Sequence, residues 1–236
     1  MALKALFLDS GNKGSFSGLF EAVGDIPGVT LTIHAEWSSY SEEELVRLIQ
    51  EHDILLATRS PRIPDALADD PGKLKYICYL HGTLCKRIGM PIIRSSIQVT
   101  NWGDSCGKGL AEGSMTLLMA VLRDLPRRIL AVRAGEGRHI KSVGTSLSDT
   151  RIGIYGFGFA GREFARLLAP FAPEIRVFDP FVDDLPEACR KVESLEELFS
   201  DSHAIVIHAG LTKETENSVT GELDRKSTRL NSSHYS

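Results

Sequence analysis

Short apolar runs alternate with amphipathic ones along the first half of this chain. Residues 3–8 (LKALFL), 29–33, 53–58 (DILLAT), 74–79 (LKYICY) and 97–100 are brief, apolar and bounded by polar or turn-forming residues, so they read as strands. Ser41 followed by Glu42, Glu43 and Glu44 supplies an N-cap and an acidic first turn, and LVRLIQ extends that start along an apolar stripe, which predicts a helix. A short helix opened by proline is expected around residues 63–68. Strands alternating with helices in this way predict an α/β protein built on a mostly parallel sheet.

The pattern then changes. Residues 107–132 (GKGLAEGSMTLLMAVLRDLPRRILAV) are long enough for a helix that Pro126 breaks or kinks. Its Met and Leu stripe reads as core or interface packing and not as a cofactor motif. Residues 133–150 are rich in Gly, Ser and charge, which marks a connection, and composition alone puts a domain boundary near them.

Composition narrows the classes of function. The 236 residues are 42% hydrophobic and 25% charged, as expected of a soluble protein with one large domain or two modest ones. No run approaches the roughly 20 apolar residues of a membrane span, and the N-terminus lacks a signal-peptide pattern, so no membrane partner is expected and the cytoplasm is the expected compartment. A formal charge of −4 argues against a nucleic-acid partner. Cys78, Cys85, Cys106 and Cys189 lie scattered, with no spacing that suggests a disulfide framework or a metal site.

The stretch most informative about chemistry is RIGIYGFGFAGREFARLLAPFAPEIRVFDP, residues 151–180. An apolar run enters G-x-G-x-x-G, an amphipathic helix leaves it, and a second strand ends on Asp179, the setting that a dinucleotide-binding turn requires. Gly156 permits the tight turn, Gly158 lets backbone approach a pyrophosphate, and Gly161 lets the helix pack on the strand. The helix starting near Phe159 aims free N–H groups at that pyrophosphate. Asp179 is placed to accept hydrogen bonds from the ribose hydroxyls, and its charge disfavours a 2′-phosphate, so NAD is the expected cofactor.

These residues also resemble a family. Residues 144–181, GTSLSDTRIGIYGFGFAGREFARLLAPFAPEIRVFDPF, are similar to the start of the cofactor domain of the D-isomer-specific 2-hydroxyacid dehydrogenases, and SDSHAIVIHAGLTKETENSVTGEL resembles that family's H-x-P-L-T-x-x-T strand and loop. LLATRSP, YLHGTL and VTNWGDSCGKGLAEGSMTLLMAVLRDLPR fall in the order of its substrate domain and hinge helix. The resemblance implies a flavodoxin-like substrate domain over residues 1–102, incomplete, and a Rossmann NAD-binding domain over 103–223, truncated, with a cleft between them. It implies hydride transfer between a 2-hydroxy acid and NAD, with a 2-oxo acid as product. It also implies that Phe159 and Ala160 offer backbone amides to the pyrophosphate and that His208, Ala209 and Leu211 border the cofactor. Gly82 and Thr83 would line the substrate side, with Thr83 also near the cofactor, and Arg59 would steer an anionic substrate. A homodimer joined through the helix after Gly107 is expected. The other reading is an NAD(H)-sensing binding protein without turnover, as in corepressor-like relatives.

Departures from the family pattern are visible. His81-Gly82-Thr83-Leu84 keeps one glycine where Gly-x-Gly is common, Ala160 replaces a larger aliphatic residue, and Gly210 replaces a proline. His208 corresponds to a non-catalytic position, His81 and His203 read as loop and satisfied histidines, and His34 and His139 offer no partner. The family's catalytic Arg, Glu and His fall after the last residue of this chain, so no catalytic residue is assigned within it. DRKSTRLNSSHYS, residues 224–236, matches nothing in the family and resembles a translated sequencing adapter. The expectation is a non-native tail on an inactive, poorly stable fragment.

Overall fold

The structure is a computed structural model that describes residues 2–8, 17–35, 37–58, 61–82, 84, 87–137 and 144–226. The chain divides into two compact units, Met1–Gly103 and Asp104–Ser236.

The first unit runs β1 (Leu3–Leu8), α1 (Ser17–Gly24), β2 (Val29–His34), α2 (Glu42–Gln50), β3 (Ile54–Ala57), β4 (Tyr76–Tyr79), α3 (Met90–Arg94) and β5 (Gln98–Thr100). All strand pairs are parallel, in the order β2-β1-β3-β4-β5. Side chains alternate along each strand, so each central strand contributes to two cores. Leu6, Leu8, Leu55, Ala57, Ile77 and Tyr79 pack with Leu45 and Ile49 of α2 and Ile92 of α3, whereas Phe7 and Leu56 meet Leu19, Phe20 and Val23 of α1. Helices thus cover both faces, the arrangement that a buried parallel sheet needs. The start of α2 is a full capping box: Glu44 N–H donates to Ser41 Oγ at 3.2 Å, and Ser41 N–H donates to Glu44 Oε2 at 2.8 Å. Those bonds from Ser41 hold the Glu44 carboxyl below its ordinary range.

Three sequence expectations need correction here. The helix expected at 63–68 is a single 3-10 turn, Asp65–Ala68, with Pro64 at its N-cap. His34 is not partnerless, because its Nε2 lies 2.9 Å from Tyr40 Oη. Composition suggested a boundary near 133–150, yet the units part at Gly103.

The second unit runs α4 (Gly107–Leu122), α5 (Leu125–Arg133), β6 (Arg151–Tyr155), α6 (Phe159–Leu168), β7 (Glu174–Phe178), β8 (Cys189–Lys191), α7 (Leu195–Ser200), β9 (Ala204–Ile207) and α8 (Gly221–Lys226). Its sheet is parallel in the order β8-β7-β6-β9. Ile152 and Ile154 face a core shared with Phe164, Ala165 and Leu168 of α6 and with Ala111, Met115, Leu118 and Met119 of α4. That packing is why α4 belongs to this unit. Tyr155 faces the opposite core with Leu198 and Phe199 of α7 and Leu223 of α8. The helix predicted over 107–132 is broken into α4 and α5 at Asp124, which adopts φ +52° two residues before Pro126. GELDRK lies in α8, and residues 227–236 of the expected tail lie outside the described residues. Among the described residues no helix is long and apolar enough to cross a membrane.

Candidate nucleotide-binding site

The site in the second unit is built where β6 runs into α6. Gly156 turns the chain at φ +89°, in the left-handed region where a side chain is strained. A Cβ there would also lie 2.6 Å from the Cα of Ala209, so the loop after β9 closes directly on this glycine. Gly161 is shut in by the carbonyl of Gly156. Gly158, the N-cap of α6, differs from both. It is exposed, its φ is −69°, and a Cβ built on it meets nothing within 4 Å. The open space lies at the helix N-terminus, and the first turn of α6 contains no acidic residue to neutralise its N–H groups.

The aromatic residues between these glycines serve the protein interior. Phe157 is fully buried beneath the Arg162 guanidinium, which sits 5.1 Å from the ring centroid. Phe159 packs its ring on Gly107, where any side chain would collide with it. The loop therefore presents backbone to the open side.

Asp179 stands just beyond β7, and both its carboxylate oxygens are engaged. Oδ2 accepts the Phe157 N–H at 2.7 Å and Oδ1 accepts the Phe181 N–H at 2.9 Å. Each carboxylate oxygen has a further lone pair, so the clamp orients the group without exhausting it. A fixed acid beside a glycine turn and a free helix terminus suits the adenosine ribose and pyrophosphate of a dinucleotide.

Beyond β9, the N–H groups of His208 and Ala209 both donate to the Tyr155 carbonyl, at 2.7 and 2.9 Å. The His208 ring lies 5.3 Å from Phe164, and its Nε2 is buried without a hydrogen-bond partner among the described residues. Burial lowers its pKa from the ordinary 6.5. Leu211 is largely exposed. Thr212 and Thr215, whose T-x-x-T spacing is visible in the sequence, were not among the expected site residues. They fasten this loop: the Thr215 hydroxyl donates to the Gly210 carbonyl at 2.6 Å and accepts the Thr212 N–H at 2.7 Å. His203 is satisfied, its Nδ1 accepting the Arg151 N–H at 3.1 Å.

Gly156, Gly158, Phe159, Ala160, Gly161, Asp179, His208, Ala209 and Leu211 therefore all lie at the C-terminal ends of β6, β7 and β9 or in the loops and helix that follow. In the first unit, Gly82 lies in the bend after β4, while Arg59 and Thr83 lie outside the described residues. Sequence reasoning missed Asn101, whose side-chain amide donates to the Gly82 carbonyl and whose Oδ1 accepts the Gly103 N–H at 3.0 Å. An Asn two residues before a glycine is a turn signal that could have pointed to it.

Fold and site together define a doubly wound α/β protein with a dinucleotide-binding unit. Residues 115–224 match the family described as D-isomer specific 2-hydroxyacid dehydrogenase, NAD binding domain. The matched residues make up just under half of this chain and are similar to that family's NAD-binding domain. The chain is 26% identical over 183 residues to a hydroxypyruvate reductase of Thermotoga maritima, an alignment that covers 77% of this chain and 59% of that protein. It is 24% identical over 186 residues to a D-3-phosphoglycerate dehydrogenase of Synechocystis sp., covering 77% of this chain and 33% of the relative. The chain thus spans less than two thirds of either relative. A solved NAD-dependent formate dehydrogenase from Staphylococcus aureus, in complex with NAD, shares the fold with a TM-score of 0.69 at 22% identity, over 95% of this chain and 70% of that one.

Proposed function

We propose that this chain is the substrate- and NAD-binding part of an oxidoreductase that transfers a hydride between a small 2-hydroxy acid and NAD. The observation that carries the reading is the Asp179 carboxylate, held by Phe157 and Phe181 beside the unobstructed Gly158 at the start of α6. NAD, when bound, supplies the hydride acceptor. Asp179 would hold the adenosine ribose, and the N–H groups of Phe159 and Ala160 would take the pyrophosphate. His208, Ala209 and Leu211 would border the cofactor. Gly82, with Thr83 and Arg59, would take the acid. Reduction of a carbonyl also requires a proton donor. His208 is unsuited to that role, because its Nε2 is buried beside Phe164.

A second copy of this chain is the proposed partner for α4 and α5. Leu110, Leu117 and Val121 of α4 and Leu125, Leu130 and Val132 of α5 are all exposed apolar side chains, which a second copy would cover.

Calorimetric titration of the chain with NAD and NADP tests the cofactor assignment. NAD should bind at least about tenfold more tightly than NADP, since a 2′-phosphate meets the Asp179 charge. Asp179→Ala should weaken NAD by roughly tenfold or more, the scale of a lost hydrogen bond to a charged group. Equal affinity for the two cofactors, or no binding of either, would reject the reading. NAD binding by the full-length protein without turnover on any 2-oxo acid would favour a sensor instead.

A further inference from the structure

We propose that His81 and Trp102 form an aromatic platform that selects 2-hydroxy and 2-oxo acids carrying an aromatic or bulky apolar side chain; this rests on the dehydrogenase reading above and names its substrate class. In a parallel doubly wound sheet, ligands lie outside the carboxyl ends of the strands, near the point where the strand order reverses. In the order β2-β1-β3-β4-β5 that point falls between β1 and β3, and β4 is the next strand along. His81 follows β4 and Trp102 follows β5, so both stand at the ligand end of the sheet.

The platform is built from the interior outward. Tyr79, only 2% exposed, anchors the end of β4, with its ring centroid 5.7 Å from that of His81. The imidazole in turn lies 5.4 Å from the Trp102 ring at an interplanar angle of 32°. The backbone ties the two loops together. Trp102 N–H donates to the His81 carbonyl at 3.2 Å, and the Asn101 amide donates to the Gly82 carbonyl. Asn101 also closes its own turn on Gly103, which adopts φ +51°.

Trp102 nonetheless remains 41% exposed. A large apolar ring on a loose loop could fold inward. Here the hydrogen bonds of Asn101 and of the Trp102 N–H fix the loop that carries the ring, and the ring itself lies against His81. Beside it, a Cβ built on Gly82 meets nothing within 4 Å, which leaves backbone accessible to a carboxylate. The juxtaposition suits an acid whose carboxylate lies at Gly82 and whose side chain lies on the indole. An aromatic or branched side chain gains from that face by offset or edge contact, and a methyl group covers little of it.

The test compares phenyllactate and lactate as ligands of the chain, by calorimetry and by the fluorescence of Trp102 in a Trp37→Phe background, with NAD binding measured on the same samples. Phenyllactate should bind at least about tenfold more tightly than lactate and should quench Trp102. Trp102→Ala should abolish that preference, Trp102→Phe should keep most of it, and neither should change NAD affinity. Equal binding of the two acids, or a preference that survives Trp102→Ala, overturns the platform. Loss of NAD binding in the unaltered chain would instead strike the dehydrogenase reading, and leaves the acid comparison to judge the platform separately.

Discussion

Gly156 and Gly158 stand two residues apart and are constrained by different things. Gly156 is held by its own protein, through a positive φ and the backbone of residues 208 and 209. Gly156→Ala should therefore destabilise the second unit by about 2 kcal/mol or more, read by urea unfolding. Gly158 has an ordinary φ and open surroundings, so Gly158→Asn, which keeps a good N-cap, should leave stability within about 0.5 kcal/mol. Its NAD affinity should nevertheless fall about tenfold or more, because the side chain fills the space a pyrophosphate needs. His208 carries a different consequence. Burial depresses its folded pKa below 6.5, and burial together with the Arg151 and Arg176 charges does the same to His203. Below about pH 6.5 the unfolded chain takes up protons that the folded chain refuses, so stability should fall as pH drops from that point toward the folded pKa values. Thermal unfolding followed from about pH 7 down to pH 5 checks this, and His208→Gln should remove part of the slope.

At the scale of elements, local sequence signals and packing share the control. The start of α2 is set by a reciprocal pair, Ser41 and Glu44, on an exposed helix end. Ser41→Ala should cost about 1 kcal/mol, measured by denaturant unfolding, and should leave NAD binding untouched because the helix lies in the other unit. The glycine turn was legible because its spacing, its entering strand and its leaving helix sit together in 151–180. The short elements were not. α3 is five residues with a proline at its start and β8 is three residues, lengths at which periodicity carries no signal. The break between α4 and α5 was half legible: Pro126 announces a disturbance, but the turn itself is made by Asp124 in the left-handed region, with its carboxylate 2.6 Å from Arg127 Nε.

For the whole molecule, the exposed stripe on α4 and α5 is the feature that bears on assembly. The inner side of α4, with Ala111, Met115, Leu118 and Met119, is taken by the core of the second unit, so the outer leucines and valines are left over. If a second copy covers them, sedimentation should show a dimer, and Leu117→Glu combined with Val121→Glu should give a monomer that still binds NAD. A monomer in the unaltered chain would remove α4 and α5 from consideration as a self-association surface. The same helix shows why composition misplaced the boundary. Gly- and Ser-rich sequence at 133–150 marks a connection, whereas the division of units follows from where α4 packs.

By itself the sequence determined the α/β class, the strands of the first sheet and the glycine turn with its acid, because each depends on neighbours in the chain: alternation, caps and residues that tolerate a tight turn. Only the tertiary structure decided what meets across the chain. It brought the Phe157 N–H to Asp179 from 22 residues away and set the Asn101 amide on Gly82 across 19. It pressed residues 208 and 209 onto Gly156 and brought the Trp102 ring against His81. Those contacts form when strands distant in sequence become neighbours in a parallel sheet, and no local pattern encodes that register.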